Sequence, residues 1–185
     1  SELAVAAKKR SVGFADSNAA AVQAGTLSFS VKGATTVDIT ISENDTLQDV
    51  AYSINSNVEG VSATIIFDGT QSYLSITNDE TGFVVGSDPA SALQITETYT
   101  GTTGSQLGLS EIQAAQNAQL SIDGLTIDSE TNTVKTALSG VTLNLLKKTT
   151  SAETLEVKAD PDTVSTNITK LVDAYNGVLT VLAKE

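Results

Sequence analysis

The sequence predicts a mainly β fold of the α+β class: small β-rich domains, one short helix among the strands, and a long helix at the C-terminal end. Short runs of alternating apolar and polar residues recur along most of the chain, which is the period of a half-buried strand. Thr and Ser, 26 and 20 of 185 residues, make a quarter of the chain, while aromatics are 4%. Thr favours half-exposed strand surfaces, so the cores are expected to be small. From Pro161 onward the apolar period lengthens to that of a helix.

The elements follow in order. Leu27, Phe29 and Val31 alternate with Thr26, Ser28 and Ser30, and Val37, Ile39 and Ile41 repeat the pattern after Gly33, which predicts a hairpin. Leu47, Val50, Ala51 and Ile54 stand at i, i+3, i+4 and i+7 and predict a helix over about 45–56. Asp45 is its expected N-cap, with Gln48 as capping-box partner, and Asn57 or Gly60 can end it in the left-handed conformation. Val61 to Phe67 and Thr70 to Thr77 flank Asp68-Gly69, a type I′ hairpin signal. A two-residue loop there sets Ala63 opposite Leu74 and Val61 opposite Ile76. The stretch from Asn78 to Ser110 holds Gly82, Gly86, Pro89, Gly101, Gly104 and Gly108 and predicts short strands with long loops, the last three glycines marking a flexible one. Asp123-Gly124 predicts a second tight hairpin, with Ile122 opposite Leu125 and Leu120 opposite Ile127. Val141, Leu143 and Leu145, then Leu155 and Val157, predict further strands.

In the terminal helix, Val164, Ile168, Leu171, Tyr175, Val178 and Leu182 follow alternating steps of four and three, an a/d heptad seam. Pro161 suits a first helical turn, with Asp160 or Asp162 as its cap. The seam runs on without a stop signal, which predicts a chain cut inside a longer coiled coil. The other reading is an amphipathic helix folded back on the β-rich part.

Charge and composition bear on chemistry. There are 10 Lys+Arg against 22 Asp+Glu, a formal charge of −12, and no His, Cys, Met or Trp. No disulfide framework, Cys/His zinc site or histidine- or thiol-dependent triad is available. A chain this acidic repels phosphate, which argues against nucleic acid and anionic lipid as partners. No apolar run reaches 18 residues, so no membrane insertion is expected, and residues 1–10 lack the pattern of a secretory signal. Between Gly33 and Val134 there are 14 acids and neither Lys nor Arg. A block this one-sided suggests a separate unit with its own surface. Asp128, Glu130 and Asn132 have calcium-loop spacing, but Thr133 stands where that loop needs Gly and Ser139 where it needs Glu. No phosphate-binding loop and no nucleophile elbow is present. Paired carboxylates could hydrolyse glycosides, but among 22 acids some are always close, and few aromatics exist to line a sugar cleft. The expectation is no enzyme, no catalytic residue, no cofactor and no metal.

Two segments resemble something specific. Residues 24–31, then Asp45 to Asn55 and Gly60 to Thr64, resemble the flagellin hook IN motif, named for its Ile-Asn pair, here Ile54-Asn55. Asn117-Ala118, Ile122-Asp123-Gly124, Ser129, Asn132, Val134 and Gly140-Val141-Thr142-Leu143 resemble the C-terminal region of the bacterial flagellar filament cap family, hook-associated protein 2. Val172-Asp173-Ala174-Tyr175-Asn176 is similar to that family's return into its coiled-coil domain.

The resemblance implies two outer β-rich domains, one inserted in the other. Residues 24–112 would be the insert, 1–23 and 113–160 the receiving domain, and 161–185 a truncated helix of the filament-proximal coiled-coil domain. It implies an extracellular place at the flagellum tip, reached through the flagellar export apparatus. It also implies a homo-oligomeric cap that promotes flagellin folding and insertion. The partners would be further copies of the chain, flagellin subunits and hook–filament junction proteins. A cell-surface adhesion module binding host glycans or mucin is the alternative that the Thr/Ser-rich β pattern leaves open.

Overall fold

The computed structural model describes residues 1–19, 21–156 and 161–182, with backbone alone described for 161–164 and 179–182. The chain divides into two compact units, Ser1–Thr150 and Ser151–Glu185.

In the first unit, β4 (Val61–Phe67), β5 (Ser72–Asn78), β1 (Lys8–Arg10) and β7 (Ser110–Gln113) form a four-stranded antiparallel sheet in that order. A second sheet runs β3 (Val37–Ile41), β2 (Gly25–Val31), β6 (Leu93–Tyr99), also antiparallel. Helix α1 (Leu47–Asn57) and a short 3-10 helix (Pro89–Ala92) accompany them. The hairpins β8 (Ala118–Ile122) with β9 (Leu125–Ser129) and β10 (Thr133–Leu138) with β11 (Val141–Asn144) complete the unit. The second unit holds α2 (Pro161–Leu182).

Alternation explains which side of each sheet is covered. Leu27 and Phe29 of β2, Ile39 and Ile41 of β3, and Leu74 and Ile76 of β5 enter one core, which α1 joins through Leu47, Val50, Ala51 and Ile54. Burying each large aliphatic side chain is worth about 1.5–3 kcal/mol. Ala7, Phe14 and Val22 from the N-terminal segment, and Leu107 and Ala115 from beyond β6, enter the same core.

The buried helix face is the predicted one, but the cap lies one residue later. Thr46, not Asp45, is the N-cap: its hydroxyl accepts from the Asp49 N–H at 3.1 Å, and the Asp49 carboxylate accepts from the Thr46 N–H at 2.9 Å. Asp49 rather than Gln48 therefore closes the capping box. Asp45 serves the preceding turn, accepting from the Ser42 N–H at 2.8 Å. At the other end the chain leaves the helix through an extended Val58, and Gly60 takes the left-handed conformation (φ +80°).

The two Asp-Gly turns differ. Asp123 (φ +50°) and Gly124 (φ +81°) form the two-residue loop expected, pairing Ile122 with Leu125 and Leu120 with Ile127. At Asp68-Gly69 the loop is four residues long. Phe67 pairs with Ser72, so Ala63 faces Ile76 and Val61 faces Asn78, a register two residues from that expected. The Asp68 carboxylate accepts from the N–H groups of Thr70 and Gln71, both at 2.8 Å, and from the Thr70 hydroxyl, which stabilises the wider turn. A slip of two keeps every side chain on its expected face.

Two further expectations are corrected, and one strand is added. The region 100–108 is not loose: Thr100 and Gly101 donate to the Ala24 carbonyl at 3.0 Å, and Ser105 donates to Ala21 at 2.7 Å. A Cβ at Gly104 (φ +87°) would stand 2.8 Å from the Val22 carbonyl carbon, so glycine permits close backbone approach there. Leu155 lies outside any strand, and Val157 falls outside the described residues. Strand β1, with its Lys-Lys-Arg sequence, sits between β5 and β7 in the larger sheet, where the sequence suggested no strand.

Candidate interaction surfaces

The Ile54-Asn55 pair ties helix to sheet. Ile54 is fully buried, and Asn55 on the next helical position turns its amide to β4. Its Nδ2 donates to the Ala63 carbonyl at 2.8 Å, and its Oδ1 accepts from the Ala63 N–H at 2.7 Å. One side chain thus completes both polar groups of a backbone position in β4, the outermost strand of its sheet.

Asn132 repeats the device in the second half of the unit. Its Oδ1 accepts from the Ala4 N–H at 2.7 Å and its Nδ2 donates to the Ala4 carbonyl at 2.9 Å, which fixes the N-terminal segment beside β10. Asn117 accepts from the Phe83 N–H at 2.8 Å, and Thr81 donates to the Glu130 carbonyl at 3.0 Å. Lys32, in the left-handed conformation after β2, lies 3.1 Å from Glu80 and 3.4 Å from Glu130. The segment 80–83 is therefore the seam between the two halves of the first unit. No local period encodes these bonds; the signal in the sequence is an asparagine immediately before each strand, Asn117 before β8 and Asn132 before β10.

Strand β6 carries an acid on its core-facing side. Glu97 pairs with Leu27 across the sheet. Its carboxylate accepts from the Leu109 N–H at 2.7 Å, the Gly108 N–H at 3.0 Å and the Tyr99 hydroxyl. Tyr99 in turn accepts from the Leu107 N–H at 2.8 Å. Burial, then Glu97, pushes the Tyr99 phenol well above its ordinary range. This network holds a loop; no reaction is built from it. Asp68 is held well below the usual carboxylate range, chiefly by the Gln71 N–H and then by Thr70. It too serves a turn.

No group of three or more acidic side chains positioned for a metal occurs among the described residues, and Asp128, Glu130 and Asn132 are used in the hairpin and seam contacts. The recess lined by residues 55–62 and Asp79 is shallow and polar. No helix among the described residues is long and apolar enough to cross a membrane.

The six seam positions all fall within α2. Ile168, Leu171, Tyr175 and Val178 are exposed, Leu171 by 71%. The side chains of Val164 and Leu182 lie outside those described.

The comparisons with known proteins agree in kind. The family described as flagellin hook IN motif matches residues 26–80, and the family described as flagellar hook-associated protein 2 C-terminus matches residues 115–185. The A-type flagellar hook-associated protein 2 of Pseudomonas aeruginosa is 33% identical over 80% of this chain and 35% of its own length. The lateral flagellar hook-associated protein 2 of Vibrio parahaemolyticus is 29% identical over 85% of this chain and 38% of its own. The chain thus spans a little over a third of the length of these relatives. The crystal structure of the D1-D2-D3 domains of the flagellar cap protein FliD from Escherichia coli covers the whole chain, and 64% of its own, with a TM-score of 0.77 at 28% identity.

Proposed function

The chain belongs to the flagellar hook-associated protein 2 family, and from that premise we propose that it forms part of a structural cap at the distal end of the bacterial flagellar filament. The cap is homo-oligomeric, and it promotes the folding and insertion of exported flagellin during growth. The observation that carries this reading is the order of the two matched segments, IN motif before C-terminal region, on one cap-protein fold.

The product of such a protein is geometry, and it is not an enzyme. Its asparagine clamps, turn carboxylates and the Glu97–Tyr99 network all spend their polar atoms on backbone groups, which stiffens the β framework. Rigidity is what a platform for incoming subunits requires. We take residues 24–112 as the inserted part and 1–23 with 113–160 as the receiving part, with the N-terminal segment lending β1, Phe14 and Val22 to the sheet and core of the insert. The α2 stripe of Val164, Ile168, Leu171, Tyr175, Val178 and Leu182 packs in the filament-proximal coiled coil. Flagellin subunits and hook–filament junction proteins are the remaining partners, and the place of action is extracellular, reached through the flagellar export apparatus.

Deleting the coding segment for residues 1–185 tests the reading. Cells should release unpolymerised flagellin into the medium and bear few filaments; filaments of normal length and number would exclude it.

A further inference from the structure

The two sheets of the first unit cover one core, and the other face of each carries exposed residues, Thr64, Ile66 and Arg10 on one and Asp38, Thr40 and Thr98 on the other. The open faces have opposite character. On the four-stranded sheet the register places Ile66 beside Tyr73, a buried Ser75 between Thr64 and Arg10, and Thr77 beside Lys8, and the Tyr73 hydroxyl donates to the Asp68 carboxylate at 3.0 Å. The Arg10 guanidinium lies 5.0 Å from the centre of the Tyr73 ring. The ion pairs within the first unit use Lys32 and Lys148; Lys8 and Arg10 form none among the described residues, and Lys9, on the core-facing side beside Ile76, has Glu111 across from it on β7.

On the three-stranded sheet the open face is hydroxyl-rich and acidic. Asp38 pairs with Ser28, which pairs with Thr96; Thr40 pairs with Thr26, which pairs with Thr98. Glu43 follows two residues beyond β3. Asp38 and Glu43 are exposed and have no cationic partner among the described residues.

Resting on the reading of the chain as a homo-oligomeric cap, we propose that the Lys8/Arg10/Tyr73 face of one copy docks on the Asp38/Glu43 face of a second copy. Charge complementarity within one chain is the argument. The unit holds two cations without an ion pair, Lys8 and Arg10, on one sheet face and two such acids, Asp38 and Glu43, by the other, in a protein whose net charge of −12 otherwise drives copies apart. Because the two surfaces differ, the contact is head-to-tail, the kind that closes into a ring when the rotation between copies permits. The contact is weak, since exposed ion pairs contribute little each, and association is expected only above micromolar concentration.

Sedimentation equilibrium of the 185-residue chain up to millimolar concentration tests this. The unaltered chain should self-associate. K8E/R10E and D38K/E43K should each lower the association constant about ten-fold, as expected for losing and reversing two exposed pairs. The combined variant K8E/R10E/D38K/E43K, with both faces inverted, should recover it, and circular dichroism should match the parent in all three. Association unchanged by either reversal, no recovery in the combined variant, or a chain monomeric at every concentration would overturn the proposal. Flagellin release separates this from the cap reading. If deletion causes release while both single-face reversals build normal filaments, the cap reading stands and this docking face falls.

Discussion

Strands and helix between Gly25 and Asn78 bury Leu27, Phe29, Ile39, Ile41, Leu47, Ile54, Leu74 and Ile76, among others, in one core, whereas the hairpins between Ala118 and Asn144 bury only Ala118, Leu120 and Val134. The first region is held by apolar side chains at strand and helix periods. The second is held by tight turns, cross-strand pairing and amide clamps such as Asn132 on Ala4. Small β-rich regions with few aromatics can persist in this second way because each polar side chain meets a backbone group that would otherwise lack a partner. The difference also separates stability from shape: the first region stabilises the unit, and the second positions its N-terminal segment.

The sharpest way to break that contrast is a cavity in each region. Ile54→Ala should cost about 2–5 kcal/mol in urea unfolding, as for a fully buried aliphatic residue. Leu120→Ala, at a site 8% exposed in a thin core, should cost about 1–2 kcal/mol, below the range for dense cores. Equal losses would mean the hairpins share the main core's cooperativity.

Amide deletions come next. Asn55→Ala removes both bonds to Ala63 and should cost about 1–3 kcal/mol of global stability, because a strand position loses its partners. Asn132→Ala should act locally, speeding amide hydrogen exchange at Ala4 while leaving the unfolding midpoint of the main core nearly unchanged. A global loss at Asn132 as large as at Asn55 would erase the distinction.

Acid provides the smallest effect. The Asp68 and Asp49 carboxylates are depressed in the folded chain, Asp68 by the Gln71 N–H first and Asp49 by the Thr46 hydroxyl first. A depressed carboxylate adds stability above its unfolded value of 3.8 and loses it as pH falls through the folded value. Urea midpoints should therefore decline below pH ~4, and Asp68→Asn should flatten that decline modestly, since both groups are solvent-exposed. An acid limb unaltered in Asp68→Asn would show that the turn's hydrogen bonds carry no linkage.

Legibility followed the same division. The α1 face was plain because Leu47, Val50, Ala51 and Ile54 are apolar at helical spacing, and their burial agrees. The cap was displaced because Asp45 and Thr46 are adjacent, both good N-caps, and only the fold assigns Asp45 to Ser42. Faces in β4 and β5 were readable from alternation. Register was not, since the Asp68 carboxylate's bonds to the 70–71 backbone compete with a two-residue turn. Strand β6 alternates Leu93, Ile95, Glu97, Tyr99, and the acid masks the period until the loop at 107–109 neutralises it. Strand β1 was hidden because Lys8, Lys9 and Arg10 resemble solvent-facing loop, and only neighbours on both sides make them a strand. The clamps of Asn55, Asn117 and Asn132 are long-range bonds that no local period encodes.

The most direct test of the structural-cap account is electron cryo-microscopy of filament ends from cells carrying the whole protein. The account predicts density for the two-sheet unit at the distal tip, repeated around a ring, with an emerging flagellin subunit beneath it. Tips without that density, or the same unit found along the filament shaft instead, would contradict it.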